Sequence, residues 1–173
     1  MVRLANINDA QQISEIFEDA KEKFANDGTY QWKGIYPNID SFYQDLKKEA
    51  VIVYEENGLI IGTATIVFSI DKNYNEIDGA WVNNDKYVSI HRIATRKGFL
   101  KRGIASALFK EAELIALNNG ITNIKIDSLK LCHCFTCFYK CKEVMLLAFS
   151  KKSRLHLKPE FSASEKLPIY FGH

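Results

Sequence analysis

The chain has 173 residues, 47% of them hydrophobic and 25% charged, with a formal net charge of +2. That is the composition of one globular domain, large enough to bury a core, and its near-balanced charge gives no reason to expect a nucleic acid or a membrane surface as partner. No stretch approaches the ~18 apolar residues of a membrane span, and the N-terminus turns polar at Asn6, Asn8 and Asp9, so a cytoplasmic protein is expected.

In chain order, Val2 to Ala5 predicts a short strand. Asn8 with Gln11 three residues on has the form of a capping box, and Ile13, Ile16, Phe17, Ala20 and Phe24 then recur at helical spacing. The segment from Asn26 to Pro37 follows neither period and carries Gln31, Trp32, Tyr36 and Pro37. It is read as a connector whose aromatic rings either plug the helix ends or face a substrate. After Pro37-Asn38 a second helix is predicted, with Ile39, Phe42, Tyr43 and Leu46 on one side and Asp40, Asp45, Lys47 and Lys48 on the other. Ala50 to Glu55 and Leu59 to Ser69, joined through Glu56-Asn57-Gly58, predict a hairpin, because Asn-Gly accepts the positive φ angles of a tight turn. Gly62 inside its second strand points to a bulge or a close backbone approach. Asp71 to Lys86 is a long polar loop with Asp71, Glu76, Asp78 and Asp85 against Lys72 and Lys86. It is read first as a solvated loop and second as an acidic rim that would favour a protonated amine.

The most informative stretch runs from Tyr87 to Ser106. Its first nine residues alternate and are rich in β-branched types, and from Ile104 the apolar spacing becomes helical, through Leu108, Ala112 and Ile115 to a stop at Asn118-Asn119-Gly120. A basic, glycine-bearing turn thus feeds a helix. Such a turn gathers unpaired N–H groups and the positive end of the helix dipole, and Arg96, Lys97, Lys101 and Arg102 add charge, which together make a seat for a pyrophosphate. Neither a Walker loop nor a G-x-G-x-x-G fingerprint is present. The following strand, Thr122 to Asp127, closes a strand-helix-strand crossover and is therefore expected to lie parallel to the first.

Leu100-Lys101-Arg102-Gly103-Ile104-Ala105 resembles the Q/R-x-x-G-x-G/A signature of the GNAT superfamily of N-acetyltransferases, with Leu100 standing where that family has Gln or Arg. The resemblance covers roughly residues 1–128, with Ile90 to Thr95 as the fourth strand and Ile121 to Asp127 as the fifth. It implies an α/β fold of the α+β type: one GNAT-like domain over residues 1–173, with a central mixed, mostly antiparallel twisted sheet, helices on both faces, and parallel fourth and fifth strands. It also implies acetyl-CoA as acyl donor. Leu100, Lys101, Arg102, Gly103, Ile104, Ala105 and Ser106 would hold its pyrophosphate, and the strand backbone at Ile93, Ala94 and Thr95 would pair with the pantetheine arm. A backbone N–H near Ile93 would polarise the thioester carbonyl.

The acceptor implied is a primary amine, on a small molecule or a peptide, attacking directly in a ternary complex. An amine of pKa near 10 must first lose a proton. His91 is the candidate base, placed by counting in twos on the face of Ile93 and Thr95, with a structural histidine as the alternative. Arg92 points the other way and is read as an ion-pair partner or substrate wall. Trp32 and Tyr36 form the acceptor side, and Tyr139 falls where the family's tyrosine would protonate the leaving thiolate. No metal is expected, and oligomeric state is open, a homodimer included.

The last third reads differently. Residues 1–128 carry 15 basic and 18 acidic side chains and residues 129–173 carry 8 and 3; twelve Asn and nine Asp occur up to Asp127 and none after it. Cys132 stands where the family has Asn, and Glu143-Val144 where it has Gly-Phe. Either the C-terminus has diverged or the reading frame changes near residue 128. Val144 to Phe149 with Arg154 to Lys158 are read as a strand pair. Cys132, His133, Cys134, Cys137 and Cys141 have ligand chemistry for zinc but no second C-x-x-C pair, and Cys134, Cys137, Phe138 and Cys141 would share a helix face, so the cysteines are read as core. Disulfides are not expected in a cytosolic chain. Two alternatives to catalysis follow: a CoA-binding module with an incomplete catalytic apparatus, or a cysteine-rich zinc-binding interaction domain.

Overall fold

A computed structural model describes residues 1–28, 32, 34–48, 50–70, 74, 85–126 and 145–148. Gln31, most of the loop from Asp71, Tyr139, all four cysteines and the segment 154–158 lie outside the described residues. The elements are β1 (Val2–Leu4), a 3-10 turn (Ile7–Asp9), α1 (Ala10–Asn26), α2 (Ile39–Leu46), β2 (Val51–Glu56), β3 (Leu59–Val67), β4 (Tyr87–Thr95), α3 (Ile104–Asn118), β5 (Asn123–Ile126) and β6 (Met145–Ala148). They fall into two compact units, Met1–Val67 with Ile90–Leu114, and Phe68–Ser89 with Ile115–His173.

In the first unit β2 pairs antiparallel with both β1 and β3. Asn57 and Gly58, at φ 54 and 79, make the two-residue turn between β2 and β3 with both central angles positive, as the right-handed twist of the strands requires. The register shifts at Tyr54/Glu55, so that Gly62 faces Tyr54 and Ile60 faces Glu55, with Ile61 as the extra residue. This bulge sorts the two faces of the strand. Ile60 joins Val51 and Val53 in a buried cluster with Ile13, Ile16 and Phe17 of α1 and Phe42 of α2. Gly62 looks the other way, and a Cβ built there would stand 2.5 Å from Ile104 Cγ2 and 3.2 Å from Leu108 Cδ1 of α3. Helices therefore cover both faces, and Gly62 serves both expectations, lying beside a bulge and under a close approach.

In the second unit the first residues of β4 pair parallel with β5, Tyr87 with Asn123 and Ser89 with Lys125, and β5 pairs parallel with β6. The crossover expectation holds and the sheet is mixed. At the end of α3, Gly120 at φ 68 lets the Ile121 N–H reach back to the Ala116 carbonyl at 3.0 Å, the stop expected of Gly120.

Two local readings need correction. The capping box lies earlier than Asn8/Gln11: the Asn6 side chain caps the 3-10 turn and Asp9 accepts from the Asn6 N–H at 2.7 Å, because a turn of 3-10 helix precedes α1. Asp45, counted on the polar side of α2, is 7% exposed.

Asp9 also takes both Arg3 Nη atoms at 2.8 Å. Burial pushes its carboxyl up, but the hydrogen bonds from Arg3 and from the Asn6 backbone outweigh it and hold the group below the ordinary carboxylate value. A carboxyl lowered in this way adds stability that is present above its unfolded pKa and is lost as pH falls through the folded one. Asp9→Asn is expected to cost about 1–3 kcal/mol at pH 7, and denaturant unfolding should show the gap to the parent closing below about pH 4. Gly62→Ala should overpack the α3 contact and cost about 1–3 kcal/mol. Unchanged unfolding midpoints would mean that Ile104 yields without cost.

Candidate functional site

The turn between β4 and α3 contains three left-handed residues, Gly98 at φ 85, Lys101 at φ 62 and Gly103 at φ 77, the last two on either side of Arg102. Successive N–H groups in such a turn make an anion-binding concavity. Lys101, Arg102 and Gly103 are exposed, and no atom stands within 4 Å of a Cβ built at Gly103. Among the described residues no hydrogen bond takes up the main-chain N–H groups from Leu100 to Ser106; on either side of the run, the Phe99 N–H goes to the Arg96 carbonyl and the Ala107 N–H to the Gly103 carbonyl. These donors include the orphan N–H groups of the first turn of α3. The protein leaves them to solvent or to an anion.

The basic side chains behave differently from the expectation. Arg96 turns back into the fold, donating from Nε to the Ile60 carbonyl at 2.8 Å and from Nη2 to the Gln12 carbonyl at 3.3 Å, with Nη1 3.0 Å from Glu15. That guanidinium, with help from Gln11, holds the Glu15 carboxyl below its ordinary range. Lys97 pairs with Glu22 at 2.9 Å, which raises the pKa of its ammonium, and its N–H donates to Asp19 at 2.8 Å. Arg102 meets both oxygens of Glu56, at 3.0 and 3.1 Å, and lies over the Phe99 ring. Lys101 is the one cation of the four without a carboxylate partner among the described residues. The positive character of the seat thus rests on main-chain N–H groups and Lys101 more than on four free charges.

Thr95 and Leu100 come together at a groove of about 300 Å³ with Asp19, Glu22, Lys23, Asn26 and Asp27 of the C-terminal end of α1 and the residue beyond it, and with Lys97. The two aromatic residues of the connector part company. Trp32 packs edge-on against Phe17 and Phe24, at centroid distances of 5.8 and 5.4 Å, as a ring closing a helix end does. Tyr36 is 47% exposed, and its hydroxyl accepts from Arg92 Nη1 at 2.7 Å.

Arg92 is the ion-pair partner expected of it: Nη2 lies 2.5 Å from Asp45 of α2, which also accepts from Thr65 Oγ1 at 3.2 Å. Its φ of 49 is left-handed, unlike the rest of a strand. Counting by twos from His91 to Ile93 assumed an unbroken pleat, and Arg92 breaks it between them. His91 is half-buried and engaged. Asp45 is the residue that sequence reasoning missed; its place one helical step from Phe42 was the available signal.

The family model described as "Acetyltransferase (GNAT) family" matches residues 11–136, more than half of the chain. The chain belongs to that family. No curated protein sequence matches it. Among solved structures, a GNAT-family acetyltransferase from Streptococcus agalactiae is similar at 24% identity and a TM-score of 0.70, covering 80% of each chain. An acetyltransferase from Clostridium acetobutylicum with acetyl-CoA is similar at 19% identity and a TM-score of 0.55, over 91% of this chain and 95% of that one. A Mycobacterium tuberculosis protein in complex with CoA and NLQ is similar at 13% identity and a TM-score of 0.53, over 75% of this chain and 65% of that one. At these identities the likeness shows a shared GNAT fold, and membership makes acetyl transfer the chemistry of the family to which the chain belongs. No helix among the described residues is long and apolar enough to cross a membrane.

If Glu56 neutralises Arg102, Glu56→Gln should tighten the binding of inorganic pyrophosphate by about two- to fivefold, the scale of an exposed ion pair. Titration calorimetry reads this directly. Weaker binding in the variant would show that Glu56 instead holds Arg102 in its place at the turn.

Proposed function

We propose that this GNAT protein moves the acetyl group of acetyl-CoA to a primary amine by direct attack, with donor and acceptor bound together. The observation that carries the reading is the run of main-chain donors from Leu100 to Ser106 at the head of α3 that no bond among the described residues takes up, on residues exposed from Leu100 to Gly103, inside the segment that matches the family. A diphosphate needs several converging N–H groups and little else from side chains, so Leu100 in place of Gln or Arg does not unmake the fit. The solved relatives that hold CoA or acetyl-CoA support the same donor.

In this reading the N–H groups of Leu100, Lys101, Arg102, Gly103, Ile104, Ala105 and Ser106 hold the pyrophosphate, and Lys101 adds the charge that its neighbours spend on Glu15, Glu22 and Glu56. The backbone of Ile93, Ala94 and Thr95 aligns the pantetheine arm. The bound thioester supplies an activated acetyl group. The Ile93 N–H is assigned the polarising of the carbonyl oxygen, worth about 3–4 kcal/mol where such a donor is fixed in advance. His91 takes the proton of the incoming ammonium, for which an imidazole has a suitable pKa. Tyr139 is assigned the return of a proton to the leaving thiolate. Tyr36 offers a half-exposed ring to the acceptor, and Trp32 closes the helix end against Phe17 and Phe24 on the same connector. The acceptor class is an amine on a small molecule or a peptide, with no nucleic acid or membrane involved.

Calorimetry with acetyl-CoA, followed by a thiol-release assay over a panel of amines, tests the reading. Binding and turnover are both expected; binding without turnover on any amine would leave a CoA-binding module, and no binding would end the proposal. His91→Ala should lower kcat by about 10²-fold, leave acetyl-CoA affinity unchanged, and remove the acid limb of the kcat/KM profile. An unchanged profile would return His91 to a structural role.

A further inference from the structure

Arg92 combines three features that rarely occur together. It is a non-glycine residue at φ 49 in the interior of a strand, a conformation that glycine adopts freely and a residue with a Cβ does not. Its guanidinium is largely buried, with a side chain 13% exposed, against Asp45 at 2.5 Å. Its Nε is buried and meets no partner among the described residues, an omission that costs stability. A fold that needed only the kink would use glycine, and one that needed only a filled core would use an apolar side chain. Keeping an arginine against both preferences indicates a task for the guanidinium.

The geometry shows what it reaches. Asp45 stands on α2 and accepts from Thr65 of β3, so the pair ties the kink in β4 to α2 and β3. The other end of the same guanidinium donates to the half-exposed Tyr36 hydroxyl at 2.7 Å, on the connector between α1 and α2. Arg92 lies between His91 and Ile93 in the chain, and a left-handed residue turns the peptide groups on its two sides out of the regular alternation.

We infer that Arg92, clamped by Asp45, is a positioning residue: it holds the kink that aims the Ile93 N–H and the His91 side chain, and it sets the acceptor-side connector through Tyr36. The inference rests on the acyl-transfer reading and adds to it a device linking the strand that aligns the donor with the wall offered to the amine. Arg92 and Asp45 then act as one unit, and removing either should cost what removing both costs.

The test compares the parent with Arg92→Gly, Asp45→Asn and the double variant, measuring melting temperature, acetyl-CoA affinity by calorimetry, and kcat per folded molecule by thiol release. Each single variant is expected to lose at least tenfold in kcat, the double variant to lose the same factor rather than the product, and acetyl-CoA affinity to stay within about threefold. Tyr36→Phe should raise the acceptor KM severalfold in the parent and do nothing in the Arg92→Gly background. Should Arg92→Gly not fold, Arg92→Lys carries the same test, since one ammonium cannot span Asp45 and Tyr36 together. A kcat within twofold of the parent despite a lower melting temperature would make the pair purely structural and overturn the inference. Multiplying factors, or an equal Tyr36→Phe effect in both backgrounds, would overturn it as well. A parent that binds no acetyl-CoA removes the acyl-transfer reading and the inference with it, whereas an active parent with unaffected variants removes the inference alone.

Discussion

The contact on which the seat depends is the one between Gly62 and the first turn of α3. Ile104 is both the first residue of that helix and the side chain lying over the bare Cα of Gly62. Its own N–H belongs to the run of donors that meet no partner among the described residues. How closely α3 approaches β3 therefore sets where those donors point, and the bulge at Ile61 makes the approach possible without stripping Ile60 from the opposite core. A helix dipole is felt only within its first turn, so an ångström of displacement there matters more than a change of charge on the surface nearby. The glycine in β3 and the turn before α3 are two ends of one packing decision.

The basic residues serve the same packing. Four cations in seven residues look like an anion clamp when read along the chain, yet Arg96, Lys97 and Arg102 each meet a carboxylate brought from another element. Arg96 is the clearest case, because its Nε closes on the Ile60 carbonyl at the bulge. It supports the strand and helix that carry the turn and contributes no free charge to it. In the proposed reading, a seat made chiefly of backbone donors would tolerate Leu100 at the head of its motif, because main-chain N–H groups would meet the phosphate.

Elements governed by local rules were legible in the chain itself: the Asn57-Gly58 turn and the α3 stop at Gly120 follow from neighbours within a few residues, the β-branched run from Tyr87 to Thr95 marks a strand, and the strand-helix-strand order makes the crossover parallel. Those settled by long-range partners were not. Asp45 reads as a surface acid on a helical wheel and becomes buried because Arg92, far along the chain, supplies its counter-charge. Trp32 and Tyr36 look alike in a broken segment, and only the proximity of Phe17 and Phe24 to one and of Arg92 to the other separates them. The kink at Arg92 carries no sequence signal at all, because the residue that marks such angles is glycine and glycine is absent there.

A kink held by an arginine differs in its consequences from one held by glycine. A strand whose kink were held by glycine would fix the donor side and say nothing to the rest of the molecule. Holding it by a side chain couples the angle of the strand to whatever the side chain touches, here a buried acid on α2 and a hydroxyl on the connector. Changes in the connector then reach the reacting strand through one guanidinium and need not disturb the main-chain donors of the turn. The cost is a strained backbone and an unsatisfied Nε. Such a cost persists where it serves geometry, since packing alone would have removed it.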